Sequence, residues 1–113
     1  MRITNFSKGN TLADKATIAD SFFSRMVGLL NRSSLSSGEG LVITNCNSIH
    51  MFFMRFPIDV IFINKTNSVV GLVENIKPFR LSRIYFAANR AIELPPGTIS
   101  QTKTTLGDVI EIE

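Results

Sequence analysis

The sequence predicts a mainly β fold: a compact β-sandwich or partly closed barrel with one short helix near the N-terminus. About seven short apolar runs are separated by Gly, Pro, Asn and Asp, as strands joined by turns should be. Only one stretch, residues 20–30, spaces apolar side chains at i, i+4 and i+8, the signature of a helix face. The chain has 113 residues, 44% of them hydrophobic, with nine Phe and no Trp, which supports one folded core and a single domain over residues 1–113.

Residues 1–6 set Ile3 among polar neighbours and run towards Gly9-Asn10, a short strand meeting a turn. Residues 11–19 pair back on it, although Leu12, Ala16 and Ile18 depart from a strict period of two. Asp20 or Ser21 caps the helix, whose face holds Phe22, Phe23, Met26, Val27 and Leu30. Gly28 inside it costs about 1 kcal/mol of helix propensity, a sign of close packing on a sheet or of a short helix. The polar, Ser- and Gly-rich residues 31–40 read as a mobile surface loop.

Leu41-Val42-Ile43-Thr44 reads as a buried strand and Asn45-Cys46-Asn47-Ser48 as the turn that ends it. Residues 49–56 carry too many large apolar side chains for a solvated face. Pro57 lacks an N–H and interrupts the ladder, so a strand starts behind it, with Asp59 near its beginning and residues 60–63 apolar on both faces. Asn64-Lys65-Thr66-Asn67 turns this central strand into residues 68–76, and Lys77-Pro78 ends the hairpin. Ala91-Ile92-Glu93-Leu94 is a further strand, followed by Pro95-Pro96-Gly97, where Pro at i+1 and Gly at i+2 fit a type II turn. Residues 99–106 show no clear pattern. Gly107-Asp108 makes the last turn, and Ile110 and Ile112 alternate with Glu111 and Glu113 in a closing strand.

Composition narrows the function classes. One cysteine forms no intrachain disulfide, no run approaches the length of a membrane span, and residues 1–10 lack a signal-peptide core, so a soluble cytoplasmic protein without membrane partners is expected. The net charge of +3 is small for a phosphate binder, which disfavours nucleic acid. Residues 77–90 nevertheless interleave Lys77, Arg80, Arg83 and Arg90 with Phe79, Tyr85 and Phe86 and contain no carboxylate. The plainer reading is a strand with a solvated charged face.

The chain is organised around residues 46–63, which set the only cysteine and the only histidine, together with Arg55 and Asp59, among Met51, Phe52, Phe53, Met54, Phe56 and Ile58. The segment His50 through Met54-Arg55-Phe56-Pro57-Ile58-Asp59, then Pro78-Phe79-Arg80, Glu93-Leu94-Pro95-Pro96-Gly97 and Gly107-Asp108, resembles the family called domain of unknown function 192. The resemblance runs from about residue 22 to the C-terminus. It implies a compact sandwich of jelly-roll type and brings no established activity.

Cys46, His50, Arg55, Asp59 and Glu93 are the candidate ligand-binding residues. Ionisable groups among apolar neighbours are either paired or perturbed. Arg55 and Asp59 flank Pro57 and are expected to pair across the bend, fixing how the central strand begins; an Arg55 turned into a cleft would instead hold a carboxylate or phosphate. Glu93 is either the outward residue of its strand or an inward acid meeting Arg or His. A Cys46–His50 nucleophilic pair lacks the usual Gly-flanked cysteine, and a zinc or iron site lacks paired ligands such as Cys-x-x-Cys, so no catalytic residue, metal or cofactor is assigned. The favoured reading is a non-catalytic module binding a small ligand or a protein, with a polar cluster beside the Met/Phe patch. The alternative is a small hydrolase or lyase using His50 as general acid or base with Asp59 or Glu93, with or without a metal. Unpaired edge strands leave a homodimer open.

Overall fold

The computed structural model describes residues 1–113 except 22, 23, 25, 26 and 31. Among the described residues eight strands form two sheets, as the mainly β expectation requires. The strands are β1 (Ile3–Asn5), β2 (Asn10–Ala13), β3 (Lys15–Ala19), β4 (Glu39–Thr44), β5 (Ile58–Ile63), β6 (Val69–Ile76), β7 (Arg90–Leu94) and β8 (Ile110–Ile112). The smaller sheet runs β2-β1-β8 and the larger β3-β4-β7-β5-β6. All pairings are antiparallel except β3 with β4, whose parallel alignment requires the long crossover of residues 20–38.

The larger sheet is buried on both faces, which explains why every residue of β5 is buried. One face, with Val42, Ile61, Ile63, Ile92 and Leu94, packs on Ile3, Leu12 and Ile110 of the smaller sheet. The opposite face, with Leu41, Ile43, Val60, Phe62 and Ala91, is covered by loops that contribute Leu29, Leu35, Ile49, Met51, Met54, Phe56 and Tyr85. Tyr85 stacks on Phe62 with ring centroids 4.5 Å apart. A side chain at Gly71 would overlap the Tyr85 ring, so this strand position admits only glycine while the loop lies down.

Most turns follow the sequence reading. Asn64 Oδ1 accepts the Thr66 and Ser68 N–H groups and closes the β5–β6 hairpin. Gly97, at φ 93° and ψ −10°, is the i+2 residue of a type II turn in which Thr98 N–H donates to Pro95 C=O at 3.2 Å. Other readings change. Residues 11–19 are not one strand but two, β2 and β3, in different sheets. The patternless stretch after Gly97 contains the helix α1 (Thr98–Thr102). Of the helix expected over residues 20–30, Phe22, Phe23 and Met26 lie outside the described residues; Gly28 N–H donates to Ser24 C=O at 2.9 Å, a helical bond. Within residues 32–40, Leu35 is buried and Arg32 pairs with Glu39 at 2.9 Å. Residues 77–89 are a loop and not the strand expected there; they run against residues 46–51, joined by the bonds Met51 N–H to Arg80 C=O, Ser82 N–H to Ile49 C=O and Tyr85 N–H to Asn47 C=O, each 2.8 Å.

Candidate functional site

Strand β7 lies between β4 and β5, with Glu93 aligned to Leu41 on one side and Val60 on the other. Both partners belong to the loop-covered face, so strand alternation puts Glu93 there too, while Ile92 and Leu94 face the smaller sheet. The sequence alternative is thereby resolved as an inward acid, 6% exposed. Glu93 opens into a cavity of about 170 Å³ between the sheet and its covering loops. Ile43, Ile49, Met54 and Leu30 give the cavity an apolar wall, and Asn45, Cys46, Ser48 and His50 supply its polar atoms.

No described side chain donates a hydrogen bond to the Glu93 carboxyl, and burial pushes its pKa up to about 7. The group therefore stands near half ionisation at neutral pH and can accept from a donor or, protonated, donate to an acceptor. His50 is exposed at the rim, where its ring stacks on Phe52 at 5.4 Å between centroids. Its backbone is held by the bridge to Leu81. Cys46 is half-buried in the wall and its thiol donates to Ser48 C=O at 3.2 Å. The turn before it depends on Asn45, whose φ of 49° is one that Asn tolerates better than most residues.

The five sequence candidates thus divide. Cys46, His50 and Glu93 line one cavity. Asp59 does not, because it sits on the other face of the larger sheet, fully buried. Its Oδ1 accepts Asn75 N–H at 2.8 Å, at a bulge in β6, and its Oδ2 accepts Ile99 N–H at 2.9 Å. It therefore serves α1 as the capping acceptor that Gly97, lacking a side chain, cannot provide. The expected Arg55–Asp59 ion pair is absent among the described residues: Asp59 is satisfied by backbone and Arg55 is exposed. Among the described residues, no three of His, Cys, Asp and Glu are grouped to hold a metal ion. The cavity residues that the sequence reading left out, Ile43, Ile49 and Met54, read there only as strand and patch.

A sequence model of the family DUF192, described as "Uncharacterized ACR", matches residues 3–112. The chain belongs to the DUF192 family. A UPF0127 protein of Thermococcus sibiricus is 35% identical over 98% of this chain and 74% of its own length. Another, from Pyrococcus abyssi, is 36% identical over 96% of this chain and 95% of its own. Two crystal structures share the fold. One is a protein of unknown function from Novosphingobium aromaticivorans, with a TM-score of 0.83 at 19% identity, covering 98% of this chain and 82% of that one. The other is a candidate transcription regulator from Sinorhizobium meliloti, with a TM-score of 0.79 at 24% identity, covering 97% and 89%. At these identities the two crystal structures speak for the DUF192 fold alone. Among the described residues, no helix is long and apolar enough to cross a membrane.

Proposed function

We propose that this DUF192 chain is a non-catalytic module that binds a small ligand in the Glu93 cavity. The ligand has a short apolar body and one N–H-bearing group, most simply a protonated amine. One observation carries this reading: a buried carboxyl with no donor among the described residues opens into an apolar-walled cavity. A desolvated carboxyl is under-satisfied, and an ammonium group would restore both its charge balance and its hydrogen bonds. His50 at the rim is placed to orient the ligand as it enters. The cavity volume of about 170 Å³ favours a molecule of only a few heavy atoms.

The probe is n-butylammonium, followed by NMR of the uniformly labelled protein, with butyrate and n-butanol as controls. Binding of the amine should perturb Ile43, Ile49, Met54 and Glu93 with a millimolar Kd, as befits so small a molecule, and Glu93→Gln should weaken it at least about tenfold. Equal responses to butyrate and to the amine would count against the reading.

A second reading is supported by the same carboxyl. A buried acid held at about 7 in one cleft with an exposed histidine suits general acid–base chemistry, a hydrolase or lyase using His50 with Glu93. Asp59 takes no part in it, being on the opposite face. This reading requires turnover of a small ester or amide that disappears in both His50→Ala and Glu93→Gln.

A further inference from the structure

Four large apolar side chains stand out from the loops that cover the sheet: Phe52 is 42% exposed, Phe53 75%, Phe79 63% and Leu81 66%. They form one patch. Phe53 and Phe79 pack edge to face at 6.1 Å, Phe52 stacks on His50, and His50 bridges to Leu81 across the loop pair. Two of the four stand on an unusual backbone. Phe53 and Phe79 both have φ of 65°, a conformation that bulky residues rarely adopt. Each is held there by its surroundings: Phe79 N–H donates to Met51 C=O at 2.7 Å, and Met54 N–H donates to Met51 C=O at 3.3 Å. Strained positions that the surrounding structure maintains cluster where the strain has a use.

The charge around the patch has one sign. Arg55, Lys77, Arg80 and Arg83 are exposed in the same two loops, and residues 46–56 and 77–90 contain no carboxylate. The carboxylates that flank these segments at three residues' distance are buried Asp59 and Glu93 and exposed Glu74, three residues before Lys77. We propose that these loops form a docking surface for an anionic phospholipid bilayer. Phe52, Phe53, Phe79 and Leu81 enter the boundary between headgroups and acyl chains, and the four cations meet the headgroup phosphates.

Sequence hydropathy speaks only to membrane spans, whereas surface docking needs exposed apolar tips ringed by cations. Single-stranded RNA fits less well. The two Phe rings pack against each other instead of standing as separate stacking platforms, and Leu81 offers no ring face. The amine cavity adjoins the patch at His50, but none of the four apolar side chains lines it.

The test is co-sedimentation of the full chain with vesicles of phosphatidylcholine alone and of phosphatidylcholine with about 30% phosphatidylglycerol, at low and at high salt. Anionic vesicles should retain the protein, neutral ones should retain it poorly, and salt should release it. Phe53→Ser with Phe79→Ser should lower the partition coefficient at least about tenfold. Lys77→Gln with Arg80→Gln should lower it about tenfold on anionic vesicles only. All four positions are exposed, and the melting temperature of each variant verifies its fold. Wild-type protein that stays in the supernatant with anionic vesicles overturns the proposal, as does binding that survives the double Phe substitution. Oligouridine binding without vesicle binding assigns the surface to RNA instead. A solution dimer that the same substitutions dissociate, and that excludes vesicles, assigns it to a second copy of the chain.

Discussion

Asp59 and Glu93 lie on the neighbouring strands β5 and β7, and they face opposite sides of one sheet: Glu93 is aligned with Val60, the residue after Asp59. Two buried carboxylates so close in the ladder have different work. Asp59 holds backbone N–H groups of β6 and α1, and Glu93 faces a cavity.

Replacing Asp59 with Ala leaves the N–H groups of Asn75 and buried Ile99 without their acceptor. A loss of about 2–4 kcal/mol of stability is expected. Chemical denaturation measures it, and amine binding by the protein that remains folded should be unchanged.

Glu93 makes stability fall as pH rises. Its folded pKa of about 7 exceeds that of an ordinary unfolded carboxyl, so between roughly pH 4.5 and 7 the unfolded chain releases a proton that the folded chain keeps. Stability contributed by the protonated acid is complete below that window and is lost through it, by an amount on the order of 3 kcal/mol. Glu93→Gln should flatten this part of the stability profile and raise the melting temperature at pH 8. An unchanged profile would show that Glu93 titrates normally.

Asp108 works in the other direction. Burial raises its pKa, but hydrogen bonds from Asn5, Lys8 and Thr105 outweigh burial and hold the carboxyl below its ordinary range. The stability it gives is present above the unfolded carboxyl pKa and is lost as pH falls through the lower folded value. Melting curves recorded below pH 4 should therefore be less acid-sensitive in Asp108→Asn than in wild type, from a lower starting stability.

The loop over the sheet depends on Gly71. Gly71→Ala pushes Tyr85 off Phe62 and should cost at least about 1–3 kcal/mol, with greater hydrogen exchange at Tyr85 and Ala88. Phe53→Asn, at a left-handed position that Asn tolerates, should leave stability within about 1 kcal/mol of wild type, whereas Phe56→Ala in the core should cost about 3–5 kcal/mol.

The strands were legible because their signals are local. Residues 60–63 are apolar at every position, and Pro96-Gly97 defines its turn by backbone geometry alone. Glu93 was ambiguous because a period of two cannot say whether a face is covered when the cover comes from loops elsewhere in the chain. The partners of Asp59 lie 16 and 40 residues away and are backbone groups, so nothing in their side chains signals them. Helix α1 escaped notice for the same reason: its N-terminal acceptor is Asp59 and not its own cap. Phe53 read as part of the Met/Phe patch and Phe79 as part of an aromatic–basic strand, and the left-handed backbone at both escaped notice because hydrophobicity carries no information about a positive φ.

The most direct test of the central claim is the NMR titration of the Glu93 side-chain carboxyl, with and without saturating n-butylammonium. The account predicts a midpoint near the value of about 7 that burial imposes in the free protein, and a clear fall when the ammonium group is bound. A midpoint near the ordinary value of about 4.3 that does not respond to the amine would contradict it.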